Sequence, residues 1–424
     1  VINYIIYLIY NLNIVNCYHL WCNDMWFSRS TYLPAGDGPY LPGCLDVMTE
    51  YSRDGCFFRL YYPSAISKQE ALQNPKTKWL PWTPDIEYVD GFARVILLWS
   101  YIFKFWIWLK SGLTYVRTLY AVPISKTCGE RLKVIVFSHG LGGSRFFYST
   151  VCNDMASRGY VVAAVEHRDR SACATYHYED PKARANDERT WLPFRYVSFG
   201  SGHYDIRNEQ VKQRAQEVQQ CIDMLQKINN GENVINVMQQ EEDNLKLLDL
   251  KGILDLSNLV VMGQSFGAAT SLLVLANDNR VKSGVILDAW MFPIKDMKAI
   301  PERVTQPMIF INTQTFHIAS NLAVMEKFTQ NNKQTERTVY TIKHTTHENQ
   351  IDTPFIVGYW LKWFMTKLKP LDALRINNGL ILRFLDKHVG VPADIADVIT
   401  FLNEQSDNYE EGDTKPWHSV SAIL

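Results

Sequence analysis

Gly263-Gln264-Ser265-Phe266-Gly267 sets a serine between two glycines, directly after the apolar run Leu259-Val260-Val261-Met262 and before a helical pattern over residues 266–276. A G-x-S-x-G turn from strand to helix lifts a serine hydroxyl above a sheet edge, and its glycines leave room for close backbone approach. The helix N-terminus behind the serine favours developing negative charge. The alternative for these five residues is an ordinary structural turn, but their position between strand and helix favours a nucleophile. A serine hydroxyl is weak at neutral pH, so it needs a base, and the base needs an acid to orient it.

Both partners are available further along the chain. Asp288 ends the apolar run 284–287, where a carboxylate sits at the carboxyl edge of a sheet; a strand-end cap is the plainer reading. His347 follows the strand-like Arg337-Thr338-Val339-Tyr340-Thr341-Ile342, with His344 as its close competitor. Sequence order alone does not choose between them, and His317, soon after the run 308–311, is a third choice. Ser138-His139-Gly140-Leu141-Gly142-Gly143 is a glycine-rich loop after the run 133–137. Its position suits a second oxyanion donor, so the backbone N–H groups of Leu141 and Phe266 are the expected pair. A phosphate-cradling loop would need G-x-x-x-x-G-K-[ST], which is missing. His139 reads as an organiser of the loop rather than as a base.

The elements that must position these groups alternate regularly. Short apolar runs at 133–137, 160–165, 259–262, 284–287 and 308–311 suit parallel strands covered on both faces. Residues 206–228 carry apolar side chains at three- and four-residue steps, as a helix packed on a sheet does. The expected architecture is an α/β-hydrolase fold, with a mainly parallel central sheet covered by helices on both faces. Residues 31–400 form a single catalytic domain on this reading. Residues 1–30 are an N-terminal extension or the remnant of a signal peptide, and 401–424 a tail, acidic and loose from 407 to 413. Within the domain, 31–47 read as a crossing loop, 57–62 as a strand, 65–85 as mostly loop and 231–248 as a surface excursion. The strongly apolar segment 92–120 reads as a hydrophobic helical insert. It is one or two buried helices, a membrane-facing surface helix rich in Trp, Tyr and Lys, or, least suitably given Lys104, a membrane span.

Composition sets the outer bounds. The chain has 424 residues, 47% of them hydrophobic, enough for a substantial core. Forty-three basic against 44 acidic residues give a net charge of −1, which argues against a nucleic-acid surface and suits a neutral or amphiphilic substrate. The eight cysteines are scattered, with no disulfide framework and no compact zinc module, although Cys17 and Cys22 are suggestively spaced. Val1 implies a processed chain or a fragment, and residues 3–10 fit the end of a signal peptide or a short strand or helix. A secreted protein is favoured, with a cytoplasmic, peripherally membrane-associated one as the alternative.

The chain resembles the platelet-activating factor acetylhydrolase family of the plasma and type II intracellular kind. The resemblance rests on Gly36-Asp37-Gly38-Pro39-Tyr40, Arg59 to Pro63, Phe137 to Gly142, Glu166-His167-Arg168-Asp169-Arg170-Ser171-Ala172, Gln210 to Val218, Gly263 to Gly267 and Leu287-Asp288-Ala289-Trp290. It covers about residues 33–370. It implies Ser265 as nucleophile, Asp288 as orienter, His347 as base and the Leu141 and Phe266 N–H groups as oxyanion hole. Glu348 departs from the glutamine that commonly follows the family's histidine. The resemblance further implies a 1-alkyl-2-acetylglycerophosphocholine esterase acting on phospholipids with short or oxidised sn-2 acyl groups. It implies no calcium or other cofactor, and docking on a membrane or lipoprotein surface through hydrophobic helices, for which 92–120 is the candidate. A broader carboxylesterase or neutral-lipid lipase would share every catalytic residue, and a non-catalytic lipid-binding protein on the same fold is the remaining alternative. Glu166 to Asp169 take no part in the triad and are expected to brace the loop after the second core strand through buried ion pairs.

Overall fold

The computed structural model describes residues 30–111, 113–316, 318–330, 335–358 and 367–412. The apolar run at 3–10, Cys17, Cys22 and His317 lie outside the described residues.

The apolar runs become strands of one large sheet: β1 (Pro42–Met48), β2 (Phe57–Pro63), β3 (Leu119–Tyr120), β4 (Leu132–Ser138), β5 (Val161–Val165), β6 (Leu254–Gln264), β7 (Val281–Leu287), β8 (Met308–Thr313), β9 (Arg337–Ile342) and β10 (Tyr409–Glu411). Their order across the ten-stranded sheet is β10-β9-β8-β7-β6-β4-β5-β2-β1-β3. Strands β5, β4, β6, β7, β8 and β9 run parallel; β2 is antiparallel to β5, and β10 to β9. The helices that matter for the site are α1 (Ile86–Val95), α2 (Ser100–Ser111), α3 (Ser149–Ser157), α4 (His203–Asn230), α5 (Phe266–Asn277), α6 (Pro370–His388) and α7 (Ala396–Glu404).

Strand side chains alternate between two cores, as the pleat requires. Val134, Val136 and Val261 face the core beneath α4 and α5, where Val218, Leu225 and Leu272 meet them. Ile135, Phe137 and Val260 face the opposite core with Val151 and Met155 of α3 and Leu380 and Leu385 of α6. Both faces are covered, so continuous apolar runs are what the sheet demands. Helix α4 buries Val211, Ala215, Val218, Ile222 and Leu225 on one stripe and stops at Gly231, whose φ of 76° lets its N–H bond back to Ile228.

Four segments depart from the sequence reading. The last part of 31–47, from Pro42, belongs to strand β1, buried along its whole length; Gly and Pro before and within it conceal that pattern. Residues 65–85 contain a helix, Lys68–Gln73, capped by Ser67, and a short strand, Leu80–Pro81. Residues 401–412 are not a free tail: α7 runs to Glu404, and β10 pairs Tyr409 with Ile342 and Glu411 with Tyr340. The acidic side chains there belong to a sheet edge, where charge opposes pairing with another chain. The helical part of 92–120 begins earlier, at Ile86, and ends at Ser111, with Leu113–Val116 and Leu119–Tyr120 extended.

Helices α1 and α2 form a hairpin bent by 117°. Among the described residues no single helix is long and apolar enough to cross a membrane. The hairpin is held by its own small core of Val89, Ala93 and Phe103 and by a Lys104–Asp90 ion pair at 2.6 Å. Its other side is apolar and exposed: Trp99 is 78% and Leu97 71% accessible, and Tyr101, Ile102, Phe105 and Trp108 join them.

Candidate active site

Parallel register brings three strand ends to one edge. Gly263 pairs with Ser138 and Gln264 with Leu287, so Ser265, the 138–143 loop and Asp288 emerge side by side. Ser265 adopts φ 57° and ψ −115°, a conformation that costs about 1–3 kcal/mol. Its N–H donates to Leu287 O at 2.9 Å, which holds the turn. A Cβ on Gly263 would lie 2.2 Å from Gly267 O, and one on Gly267 would lie 1.9 Å from Ser138 O. The two glycines of the motif are therefore demanded by backbone approach.

Asp288 is wholly buried, with φ 42°. Its Oδ1 accepts the Thr313 N–H at 2.6 Å, and its Oδ2 accepts the Thr313 hydroxyl at 2.5 Å. That same Oδ2 lies 2.9 Å from His347 Nδ1. His347 opens a short 3-10 turn, His347–Gln350, closed by reciprocal bonds between Thr346 and Asn349. His344 is exposed at φ 58°, its N–H donating to Gln314 and its carbonyl accepting from Leu368. Geometry thus resolves what chain order left open: His347 reaches the acid. Glu348 pairs with Lys367 at 3.2 Å, which ties the departing residue into an ion pair beside the base. Among the described residues the Ser265 hydroxyl has no hydrogen-bond partner; nucleophile–base contacts often tighten only when substrate is bound.

The glycine-rich loop is fixed from beneath. Gly142 N–H donates to Ser171 O at 2.7 Å, and Arg214 donates to His139 O at 2.6 Å. His139 is buried, and burial together with the Arg214 charge pushes its pKa well below the ordinary value. The neutral ring donates from Nδ1 to Gly140 O and accepts the His167 N–H at Nε2, which is the work of a loop organiser. Among the described residues the N–H groups of Leu141 and Phe266 donate to nothing, as oxyanion donors must be free to do. A Cβ on Gly142, at φ 73°, would strike Val95, so the end of α1 rests directly on this loop.

Residues 166–169 sit in the polar framework expected of them. Arg145 bridges Asp46 at 3.0 Å and Glu166 at 2.5 Å, and Arg59 adds a second guanidinium on Asp46 at 2.7 Å, all of them buried. Burial pushes the Asp46 carboxyl up, but Arg145 and Arg59 outweigh it and hold the group below the usual range. Arg214 pairs with Asp169 at 3.2 Å, and His167 spans Glu217 (2.6 Å) and the Ser138 hydroxyl (2.8 Å).

Sequence reasoning missed several supporting residues. Asp352 accepts the N–H and hydroxyl groups of both Ser149 and Thr150 at the start of α3, and the Trp82 indole N–H. Phe316 stacks on His347 with ring centres 3.9 Å apart. Gln264 lies beside the base and Tyr148 beside Gln264. Only Gln264, inside the motif, and Thr313, just past an apolar run, carried any signal. Among the described residues no group of three or more His, Cys, Asp or Glu is arranged to hold a metal ion, and the six cysteines there are free and buried.

A serine on a strained elbow, with acid and histidine following from later strands of one mainly parallel sheet, defines the class: an α/β-hydrolase. A ferulic acid esterase from Streptomyces cinnamoneus shares this fold, with a TM-score of 0.56 at 16% identity over 85% of this chain and 93% of that one. Residues 25–409 match the model of the family described as platelet-activating factor acetylhydrolase, isoform II. A platelet-activating factor acetylhydrolase from Bos taurus is 35% identical over 92% of this chain and 85% of its own. A putative phospholipase A2 from Schizosaccharomyces pombe is 28% identical over 86% and 94%. The chain belongs to the platelet-activating factor acetylhydrolase isoform II family.

Proposed function

We propose that this protein is a serine esterase that hydrolyses the sn-2 short-chain or oxidised acyl ester of platelet-activating factor and related phospholipids. The observation that carries the reading is the 2.9 Å contact of His347 Nδ1 with buried Asp288, beside the Ser265 elbow on one sheet edge. Asp288 holds the imidazole in the tautomer with Nδ1 protonated, leaving Nε2 to accept the Ser265 proton as its oxygen attacks the ester carbonyl. The Leu141 and Phe266 N–H groups receive the oxyanion, with the N-terminus of α5 behind them. His347 then protonates the departing lysophospholipid, and water activated by the same imidazole releases the acid.

The exposed apolar side of the α1–α2 hairpin supports docking on a membrane or lipoprotein surface. Trp and Tyr suit a lipid interface, and Val95 puts the hairpin against the oxyanion loop, so a lipid leaving that surface meets the site directly. The test compares sn-2 acetyl with sn-2 long-chain phospholipids at matched interface, with chelator present and Ser265→Ala as control. Preference for the acetyl ester, lost in the variant, is expected. Equal or faster turnover of long chains would move the assignment to a broader lipase or esterase, and activity surviving in Ser265→Ala would overturn the nucleophile.

A further inference from the structure

The base is gripped on three sides, and only the Asp288 contact belongs to the triad. Phe316 lies nearly parallel to the His347 ring, 11° off, and covers one of its faces. Gln264 Nε2 lies 3.1 Å from His347 Nε2 and 3.3 Å from Nδ1. A nitrogen almost equidistant from both ring nitrogens cannot lie along either in-plane lone pair without striking the carbon between them. The carboxamide therefore sits over the ring, on the face that Phe316 leaves open. The in-plane lone pair of Nε2 stays available for Ser265.

The orientation of that carboxamide is set from the oxyanion loop. Gly140 N–H donates to the Tyr148 hydroxyl at 2.9 Å, so the hydroxyl proton is directed elsewhere, to Gln264 Oε1 at 2.8 Å. With its oxygen on Tyr148, the side chain must turn its NH2 group to the imidazole. Gly140 is tailored to this arrangement: a Cβ there would lie 2.7 Å from Gln264 Oε1 and 2.8 Å from the Tyr148 hydroxyl. Tyr148 and Gln264 are both buried, so the chain of bonds is shielded from competing water.

We propose that Gln264 and Phe316 are positioning residues that clamp the His347 imidazole between them, and that Tyr148 couples this clamp to the oxyanion loop. The inference rests on the triad reading given above. The carboxamide NH2 over one face and Phe316 over the other hold the plane of the ring, so that the in-plane lone pair of Nε2 points to Ser265. The clamp also narrows rotation of the ring about its side-chain bond, which the Asp288 contact restrains through one hydrogen bond alone.

Steady-state kinetics and pH profiles on a soluble acetyl ester test this, with melting temperature as a check on folding and Ser265→Ala as reference. Gln264→Leu keeps side-chain bulk but removes the amide; kcat is expected to fall about tenfold with KM within twofold. Gln264→Glu sets a carboxylate over the ring, and the acid limb of kcat/KM is expected to move up by about one pH unit or more. Tyr148→Phe is expected to lower kcat by itself and to add nothing to Gln264→Leu, because both break one chain. An unchanged kcat in Gln264→Leu together with an unmoved acid limb in Gln264→Glu would overturn the clamp while Ser265→Ala remains inactive. Should Gln264→Glu fail to fold, additive losses in the Tyr148→Phe, Gln264→Leu pair would overturn it instead. Activity persisting in Ser265→Ala would sink the triad reading, and the clamp with it.

Discussion

The carboxyl edge of the sheet and the α1–α2 hairpin meet at Gly142, yet they are built on opposite rules. Beneath the edge, Asp46, Arg59, Arg145, Glu166, Asp169 and Arg214 are buried charges held by partners of opposite sign. On the outer side of the hairpin, tryptophan and other large apolar side chains stand in water, above a small core of Val89, Ala93 and Phe103 with Phe92, Trp106 and Ile107 packed against it. The edge shows how reacting groups are held still: strained backbone at Ser265 and Asp288 persists because neighbours over-determine it. The inner side of the hairpin is tied to that framework through Tyr88, which bonds Glu166 and Arg145, but its outer face has no such partners, and its composition suits a surface that is completed by something else. The contrast sets a held edge against an exposed apolar face, and it can be broken at either end.

The largest effect is expected in the charged framework. Arg145→Leu leaves Glu166 buried without its cation and Asp46 with one guanidinium in place of two. Breaking such a buried pair costs about 3–5 kcal/mol, so denaturant unfolding is expected to lose that much stability, with esterase activity lost alongside. A variant as stable as the parent would show that the network is not what braces the edge. A smaller and selective effect is expected on the hairpin. Replacing Trp99 and Phe105 with serine exposes no buried group, so turnover of a soluble ester should hold within twofold. Vesicle binding and turnover of vesicle lipid should fall about tenfold, from roughly 1–2 kcal/mol of lost apolar contact. Equal losses on both substrates would erase the division between the two regions.

The smallest effect concerns pH. Burial pushes the Glu217 carboxyl up to about 7, against donors on Gln213 and Arg168 that pull it down. The folded protein therefore holds a proton there that the unfolded chain, with an ordinary value near 4.5, releases. This group's contribution to stability is full below about pH 4.5 and is lost as pH rises through 7. Glu217→Gln should flatten the stability–pH curve in that window. An unchanged slope would mean that Glu217, 15% exposed at its side chain, is solvated enough to titrate normally.

Much of the edge was legible in the sequence because its constraints are local. A strand, two glycines and a helix must follow one another for Ser265 to stand where it does, and Asp288 must end a strand. The base was only half legible: His344 and His347 are three residues apart, and register alone does not decide between them. What decides is the turn capped by Thr346 and Asn349, which aims His347 at Asp288 and leaves His344 outside. Strand β1 was hidden because Pro42, Gly43 and the buried, ion-paired Asp46 break the continuous apolar run that marks the other strands covered on both faces. Strand β10 was hidden for a different reason, since an edge strand keeps its charge. Gln264 sits inside the motif, but its relation to Tyr148 and Phe316 carries no pattern, because it exists only once three distant segments meet.

Asp352 makes the placement of early segments depend on a residue that is synthesised late. It ties the start of α3, 203 residues earlier in the chain, and Trp82, 270 residues earlier, to the segment that carries His347. A nascent chain that has emerged only as far as Ser265 has the elbow and the 138–143 loop, but not Asp288, His347 or the carboxylate that locks α3. The constellation of Ser265, Asp288 and His347, with α3 locked beside it, is complete only once translation has passed Asp352.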